Sequence, residues 1–165
     1  MQPAASTGHS SERVTCGRGR MTNVVVVDDH RGLSPDLHAV LGTEPGLQVV
    51  GRAEGGDEAI ALVERTVPDV AVVCVRSSDL SGMGIGIALR TLFPGLRILA
   101  ILTSEGENER RLLPDLAAHG VISQTAGPAA VIVGLGVVAE GGTFLDQLVA
   151  DPPTSPELAG EAGGR

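Results

Sequence analysis

Short runs of β-branched and aliphatic residues recur at nearly regular intervals, and this rhythm is the feature that most restricts the fold. The runs start near residues 24, 47, 70, 98 and 121, so each interval holds one strand and one helix. The first and third runs are rich in valine and show little polar alternation, which is typical of strands buried on both faces of a parallel sheet. We therefore predict a doubly wound α/β fold with a five-stranded parallel sheet between two layers of helices.

Helical signals fill the intervals between these runs. Ser34 followed by Pro35 supplies a capping hydroxyl ahead of a proline at the first helical position. The spacing also predicts a helix over 105–118, which Pro114 kinks or breaks, and a last helix over 128–140. Every strand thus has a helix to follow it.

Composition divides the chain into a folded part and two tails. Residues 1–21 are rich in Ser, Thr, Gly and Arg, and we predict a disordered leader there, or a start site set too early. Residues 22–148 form the predicted domain. Residues 149–165 are rich in proline and glycine and are expected to be a flexible tail.

The composition excludes several classes of function. Lys and Arg number 12 against 20 Asp and Glu, giving a net charge of −8, which lacks the basic footprint of a duplex-DNA binder. There is no Trp or Tyr to stack on single-stranded nucleic acid. No apolar run is long enough to span a membrane. Cys16 and Cys74 lie in unrelated contexts, so we expect no disulfide and a cytoplasmic location.

Catalytic motifs are missing from the sequence. His30, His38 and His119 are isolated and lack the spacing of metal ligands, so we predict plain surface or loop positions for them. No catalytic triad, zinc motif or phosphate-binding loop is present. We therefore expect that the chain is not an enzyme and has no catalytic residues.

Polar side chains cluster where the predicted strands end. Asp28 and Asp29 follow the first run, Cys74 lies near the end of the third, and Thr103 and Gln124 follow the fourth and fifth. Ligand sites of doubly wound folds lie at the carboxyl ends of the strands. Adjacent carboxylates there can bind a hard cation such as Mg²⁺, although a solvated loop explains the same pair.

Taken together, the region from 24 to 145 resembles a response-regulator receiver domain, and more closely one from the NarL/LuxR-type regulators. The resemblance implies a flavodoxin-like three-layer sandwich. The matching segments are VVVVDDH at 24–30, EPGLQVVGRAEGGDEAI at 44–60, PDVAVV at 68–73, FPGLRILAILT at 93–103 and AEGGTFLD at 139–146.

The resemblance also implies a site. In this family an aspartate at the tip of the third strand accepts a phosphoryl group from a histidine kinase, and two acidic residues hold Mg²⁺. A hydroxyl residue and a lysine bind the phosphoryl oxygens, and an aromatic residue on the fifth strand reports the change. By position, Asp28 and Asp29 match the metal pair and Thr103 matches the hydroxyl residue.

Three other positions depart from the family pattern. Cys74 stands at the acceptor position, Gln124 at the lysine position and Val121 at the aromatic switch position. A cysteine is mostly a neutral thiol at neutral pH and a soft ligand where Mg²⁺ requires oxygen, and glutamine brings no positive charge. We predict a pseudo-receiver that acts in signalling and transcription regulation without aspartyl phosphorylation, with no cofactor and at most weak Mg²⁺ binding.

Alternative interpretations remain open at this point. Asp79 is a candidate for a displaced acceptor, which would make the chain a phosphorylatable regulator, and Cys74 is a candidate for a thiol-based sensor. A dinucleotide-binding enzyme is disfavoured, because the glycines at 82, 84 and 86 have the spacing G-x-G-x-G instead of G-x-G-x-x-G.

The last predicted helix has no charged residue between 127 and 139. A helix that is apolar all round is usually covered on both sides. We predict homodimerisation or docking of a partner protein through this helix, with Val131, Leu135 and Val138 at the interface. DNA binding is expected only if an output domain follows, since 156–158 resemble the start of a helix-turn-helix domain and the sequence then ends.

Overall fold

Strands and helices alternate through residues 20–28, 35–76, 81–103 and 118–146, the parts of the chain that the computed structural model describes. The elements are β1 (Thr22–Val27), α1 (Pro35–Thr43), β2 (Leu47–Ala53), α2 (Gly56–Thr66), β3 (Val70–Val75), α3 (Ser81–Leu92), β4 (Arg97–Leu102), β5 (Gly120–Ser123), a 3₁₀ turn (Gln124–Ala126), α4 (Pro128–Ala139) and β6 (Phe144–Leu145). The predicted helix over 105–118 lies outside the described residues except for Ala118.

All strand pairs in the sheet are parallel, in the order β2-β1-β3-β4-β5-β6. The α/β class and the five predicted strands are confirmed, while the predicted number of strands is too low by one. The sixth strand is only Phe144–Leu145. Two residues are too few to produce a period in the sequence, and pairing with β5 makes this segment a strand.

Two apolar layers enclose the sheet, and the valines of β1 contribute to both. Val25 and Val27 lie on the side covered by α2 and α3, whereas Val24 and Val26 lie on the side covered by α1 and α4. Because successive side chains of a strand point to opposite faces, a strand between two helical layers must be apolar at every position. This requirement explains the unbroken run in the sequence.

The start of α3 approaches β3 closely. A Cβ atom added at Gly82 would lie 2.2 Å from the carbonyl oxygen of Cys74, whereas one added at Gly84 would meet nothing within 4 Å. Only a residue without a side chain fits at the first of these positions. Helix α3 is therefore held directly against the carboxyl end of β3.

Candidate functional site

The register of the sheet brings the predicted site residues to one edge. The pairing of β1 with β3 ends with Val27 opposite Val73, so the next residues of the two strands, Asp28 and Cys74, are level with each other. The amide of Asp28 donates to the carbonyl oxygen of Ala53 at 2.9 Å, which extends the β1 pairing toward this edge. The carboxyl edge therefore holds a carboxylate and a thiol on neighbouring strands.

Cys74 is the penultimate residue of β3. It is half-buried, forms no disulfide, and packs against the apolar layer beneath α1 and α4. It thus lies near the tip of the third strand, and its match to the acceptor position stays a prediction from the resemblance. A thiol here gives the site a soft, weakly polar group where a receiver would carry an anion.

Asp28 is 8 % exposed and lies close to a histidine, which in turn contacts an arginine on another element. The Nε2 atom of His38 on α1 lies 3.6 Å from its Oδ2 atom, an ion-pair distance that is too long for a hydrogen bond. The guanidinium of Arg52 on β2 contacts Nδ1 of the same imidazole. His38 is 27 % exposed, so it lies at the surface as predicted, but on a helix and in contact with charged neighbours.

The sequence analysis did not connect His38 with Asp28, because the two residues are ten positions apart and belong to different elements. A usable signal was nevertheless present. His38 lies in the first turn of α1, directly after the β1 loop. The first turn of such a helix lies next to the carboxyl edge of the sheet.

Thr103 follows β4 and closes the edge beside β3. Its hydroxyl donates to the carbonyl oxygen of Val75 at 3.3 Å, and its amide donates to the same oxygen at 3.0 Å. The side chain is half-buried. Thr103 lies at the strand tip as predicted, and its hydroxyl already bonds to the backbone of β3.

The end of β5 carries a polar network that the sequence analysis did not identify. Ser123 is fully buried, and its Oγ atom accepts from the amide of Thr125 at 3.2 Å. Its own amide donates to Oδ2 of Asp146 at 3.3 Å. Gln124 begins the 3₁₀ turn and is half-buried. A serine two residues before a threonine at a strand end is a usable signal for such a capped turn.

Val121, which the resemblance assigns to the switch position, lies inside the sheet. It is 7 % exposed and belongs to the apolar layer beneath α2 and α3. Asp29 and Asp79, the other two predicted site residues, lie outside the described residues.

The described residues of this edge do not fit Mg²⁺. The cation requires several oxygen ligands in octahedral geometry, whereas two of the described groups near Asp28 are a thiol on β3 and an imidazole on α1. Within the described parts of the chain, no three His, Cys, Asp or Glu residues are grouped closely enough to hold a metal ion.

The predicted interface residues of the last helix point the wrong way. Val131, Leu135 and Val138 are all 0 % exposed and pack into the layer between α4 and the sheet. They form the core, and the prediction that they contact a partner is corrected. The outer face of α4 is instead formed by Ala129, which is exposed, and by Val133 and Val137, which are half-buried.

At the opposite, amino edge of the sheet lies a groove of about 740 Å³ between the ends of α2 and α3. Its walls include Val67 and Leu92, which are 77 % and 55 % exposed. None of the predicted site residues lines this groove.

His119 also lies at the amino edge, just before β5. Its Nδ1 atom accepts from the amide of Ile98 at 3.0 Å. Burial, with the guanidinium groups of Arg90 and Arg97, holds the pKa of His119 below its ordinary value. The imidazole therefore favours its neutral form, which the bond from Ile98 also requires.

Comparison with known proteins identifies relatives among the bacterial response regulators. No protein-family model matches the chain. The transcriptional regulatory protein DegU of Brevibacillus brevis is 26 % identical over 122 residues, which cover 74 % of this chain and 52 % of DegU. The DNA-binding transcriptional activator DevR/DosR of Mycobacterium tuberculosis is 42 % identical over 92 residues, covering 56 % and 42 %. The chain thus spans about half the length of the curated relatives it matches.

Solved structures give the same picture for the fold. The isolated receiver domain of RcsB from Salmonella enterica, solved with a phosphate mimic, has a TM-score of 0.67 at 19 % identity and covers 79 % of this chain and 97 % of that one. A structure of two RcsB dimers bound to two parallel DNAs has a TM-score of 0.67 at 20 % identity, covering 79 % and 67 %. No helix in the described ranges is long and apolar enough to cross a membrane.

Proposed function

We propose that the chain carries a receiver domain of the kind found in LuxR/NarL-type response regulators, and that this receiver is an atypical one that signals without an aspartyl phosphate. The observation that carries this proposal is the thiol of Cys74 at the tip of β3, level with the buried Asp28. A receiver needs a carboxylate at this tip. The domain then acts as a cytoplasmic binding module of a transcription regulator and not as an enzyme.

The surrounding groups support the same proposal. Gln124 can donate hydrogen bonds but brings no positive charge to a phosphoryl group. The hydroxyl of Thr103 already donates to the carbonyl oxygen of Val75. Three parts of the phosphorylation chemistry are thus changed or engaged elsewhere, while the sheet that positions them is intact.

We infer that the domain acts through association, with a second copy of the chain as its partner. The helix α4 carries no charged residue, and its outer face consists of alanine and valine side chains. A stripe of this kind is usually covered in an assembly. RcsB, whose receiver has the same fold, has been solved as dimers on DNA. DNA binding by this regulator would require an output domain.

Phosphorylation is tested by incubating the full chain with acetyl phosphate and Mg²⁺ and measuring its intact mass. We expect no stable gain of a phosphoryl group. A matched variant, Cys74→Asp with Gln124→Lys, restores the acceptor carboxylate and the positive charge of the lysine. This variant is expected to gain one phosphoryl group. A stable phosphoryl group on wild-type Cys74 contradicts the proposal. Labelling that disappears in Asp79→Asn would establish the displaced acceptor instead.

Association is tested by sedimentation of the full chain. Val133→Glu places a charge on the outer face of α4 and is expected to weaken dimerisation at least about tenfold, because burying an unpaired charge at an interface is costly. Ala61→Glu adds the same charge to the exposed face of α2 and serves as the control. A wild-type chain that remains monomeric, or a dimer that Val133→Glu leaves unchanged, contradicts this part of the proposal.

A further inference from the structure

We propose that the carboxyl-edge pocket carries its own counter-charge: Arg52, acting through His38, balances the carboxylate of Asp28 where a receiver would use a divalent cation. This inference rests on the proposed function, because it explains how a receiver pocket persists without its phosphorylation chemistry. The inference itself concerns only the charge balance of the pocket, so it can be tested by urea unfolding without any phosphate donor.

The need for a counter-charge follows from burial. The side chain of Asp28 is only 5 % exposed. A buried carboxylate without compensation is strongly destabilising, and the protein must supply either hydrogen bonds or a nearby positive charge. The charged side chain of Arg52 lies one imidazole ring away.

The imidazole of His38 stands between the two charged side chains. The guanidinium of Arg52 contacts its Nδ1 atom. A nitrogen of the same guanidinium lies 3.5 Å from Nε2, the atom that lies 3.6 Å from Oδ2 of Asp28. The guanidinium and the carboxylate therefore approach the same ring atom.

The arrangement also occupies the space of a cation ligand. The imidazole of His38 lies against Oδ2 of Asp28, an oxygen that Mg²⁺ would otherwise take. Cys74, on the neighbouring strand, offers sulfur, which Mg²⁺ avoids. Among the described residues, a cation would thus meet an imidazole and a thiol beside the carboxylate of Asp28.

The chain of contacts joins three elements. Arg52 lies on β2, His38 on α1 and Asp28 at the end of β1. In a receiver, a bound cation would be a separate component whose occupancy follows its concentration. Here the counter-charge is part of the fold, so the pocket is expected to have one resting state at all Mg²⁺ concentrations.

The experiment is a double-mutant cycle in urea on the full chain, with and without millimolar Mg²⁺. Arg52→Gln is expected to lower the urea midpoint of the wild type and to have little effect in an Asp28→Asn background, since no charge is left to balance. Arg65→Gln removes an exposed arginine from α2 and is the charge control. Mg²⁺ is expected to leave the wild-type midpoint unchanged.

Two results would overturn the inference. One is an equal effect of Arg52→Gln in both backgrounds, which would show that the guanidinium does not act on Asp28. The other is a Mg²⁺-dependent rise in the wild-type midpoint as large as the fall that Arg52→Gln causes. Neither result depends on phosphate labelling, so the proposed function and this inference can fail separately.

Discussion

The two edges of the sheet differ in how they are filled. At the carboxyl edge, Thr103 and Ser123 bond to backbone groups, and Asp28 lies at ion-pair distance from an imidazole. At the amino edge, polar contacts such as that of His119 with the backbone lie beside an open groove whose walls include exposed apolar side chains. The carboxyl edge is therefore the part of the molecule in which a small chemical change should propagate furthest.

This difference has a physical origin. A buried polar group must find a partner, and each partner fixes the position of another element. An exposed apolar side chain makes no such demand and leaves its neighbours free to move. Substitutions at the two edges should consequently differ in size and in sign.

The largest effect is expected for Gly82→Ala. The new Cβ would collide with the carbonyl oxygen of Cys74, a backbone atom, so the start of α3 must move away from β3. We expect a loss of about 2–3 kcal/mol in the free energy of unfolding, measured with urea. Gly84→Ala, in the same helix with open space around it, should gain up to about 1 kcal/mol. Similar values for both variants would show that the carboxyl edge is not tightly packed.

An effect of opposite sign is expected at the amino edge for Val67→Gly. Val67 ends α2 in the left-handed region, with φ of 45°, which is strained for a β-branched residue. Glycine relieves this strain and loses little burial, so we expect a gain of about 1 kcal/mol in urea unfolding. Val67→Ala keeps a Cβ and should gain less. A destabilised glycine variant would mean that the valine side chain packs more than its exposure indicates.

A smaller, pH-dependent effect is expected for His119. Its pKa is lowered in the folded chain, so the unfolded chain binds the proton first as the pH falls. The stability from neutral His119 is complete above about pH 6.5 and is lost as the pH falls through the lowered folded-state pKa. His119→Asn keeps an acceptor for Ile98 without titrating. The wild type should therefore lose more stability than this variant between about pH 7.5 and about pH 5. Parallel pH profiles would contradict the role of His119.

The smallest effect is expected for Leu92→Ser in the groove wall. The side chain is 55 % exposed, so its removal gives up little buried apolar area. We expect a change within about 0.5 kcal/mol in urea unfolding, with Leu89→Ser as the buried comparison in the same helix. A large loss for Leu92→Ser would indicate that the groove is filled in solution.

Most of the fold could be predicted because the strands are buried on both faces. A parallel sheet between two helical layers demands unbroken apolar runs, and the chain displays them at even spacing. The start of α1 at Pro35 and the end of α3 before Pro94 also follow from local chemistry. Phe144–Leu145 is too short to carry a pattern and becomes a strand only through β5.

The site could be predicted only in part. Strand tips located Cys74 and Thr103, because a parallel sheet places them at one edge. The contacts of Asp28 with His38 depend on how α1 packs, which spacing along the chain does not encode. The sequence analysis chose the wrong face of α4 as the interface. Nearly every residue of this helix is apolar, so no polar side chains indicate which face is exposed. Inward Val131 and outward Val133 differ only in their angle around the helix.

The sixth strand sets where the chain leaves the domain. Because β6 runs parallel to β5, its end points toward the same edge as Cys74, and the amide of Asp146 donates to the carbonyl oxygen of Val121. The carboxylate of Asp146 in turn receives the amide of Ser123. A rearrangement at Cys74 would therefore reach the end of β6 across two strands, β4 and β5.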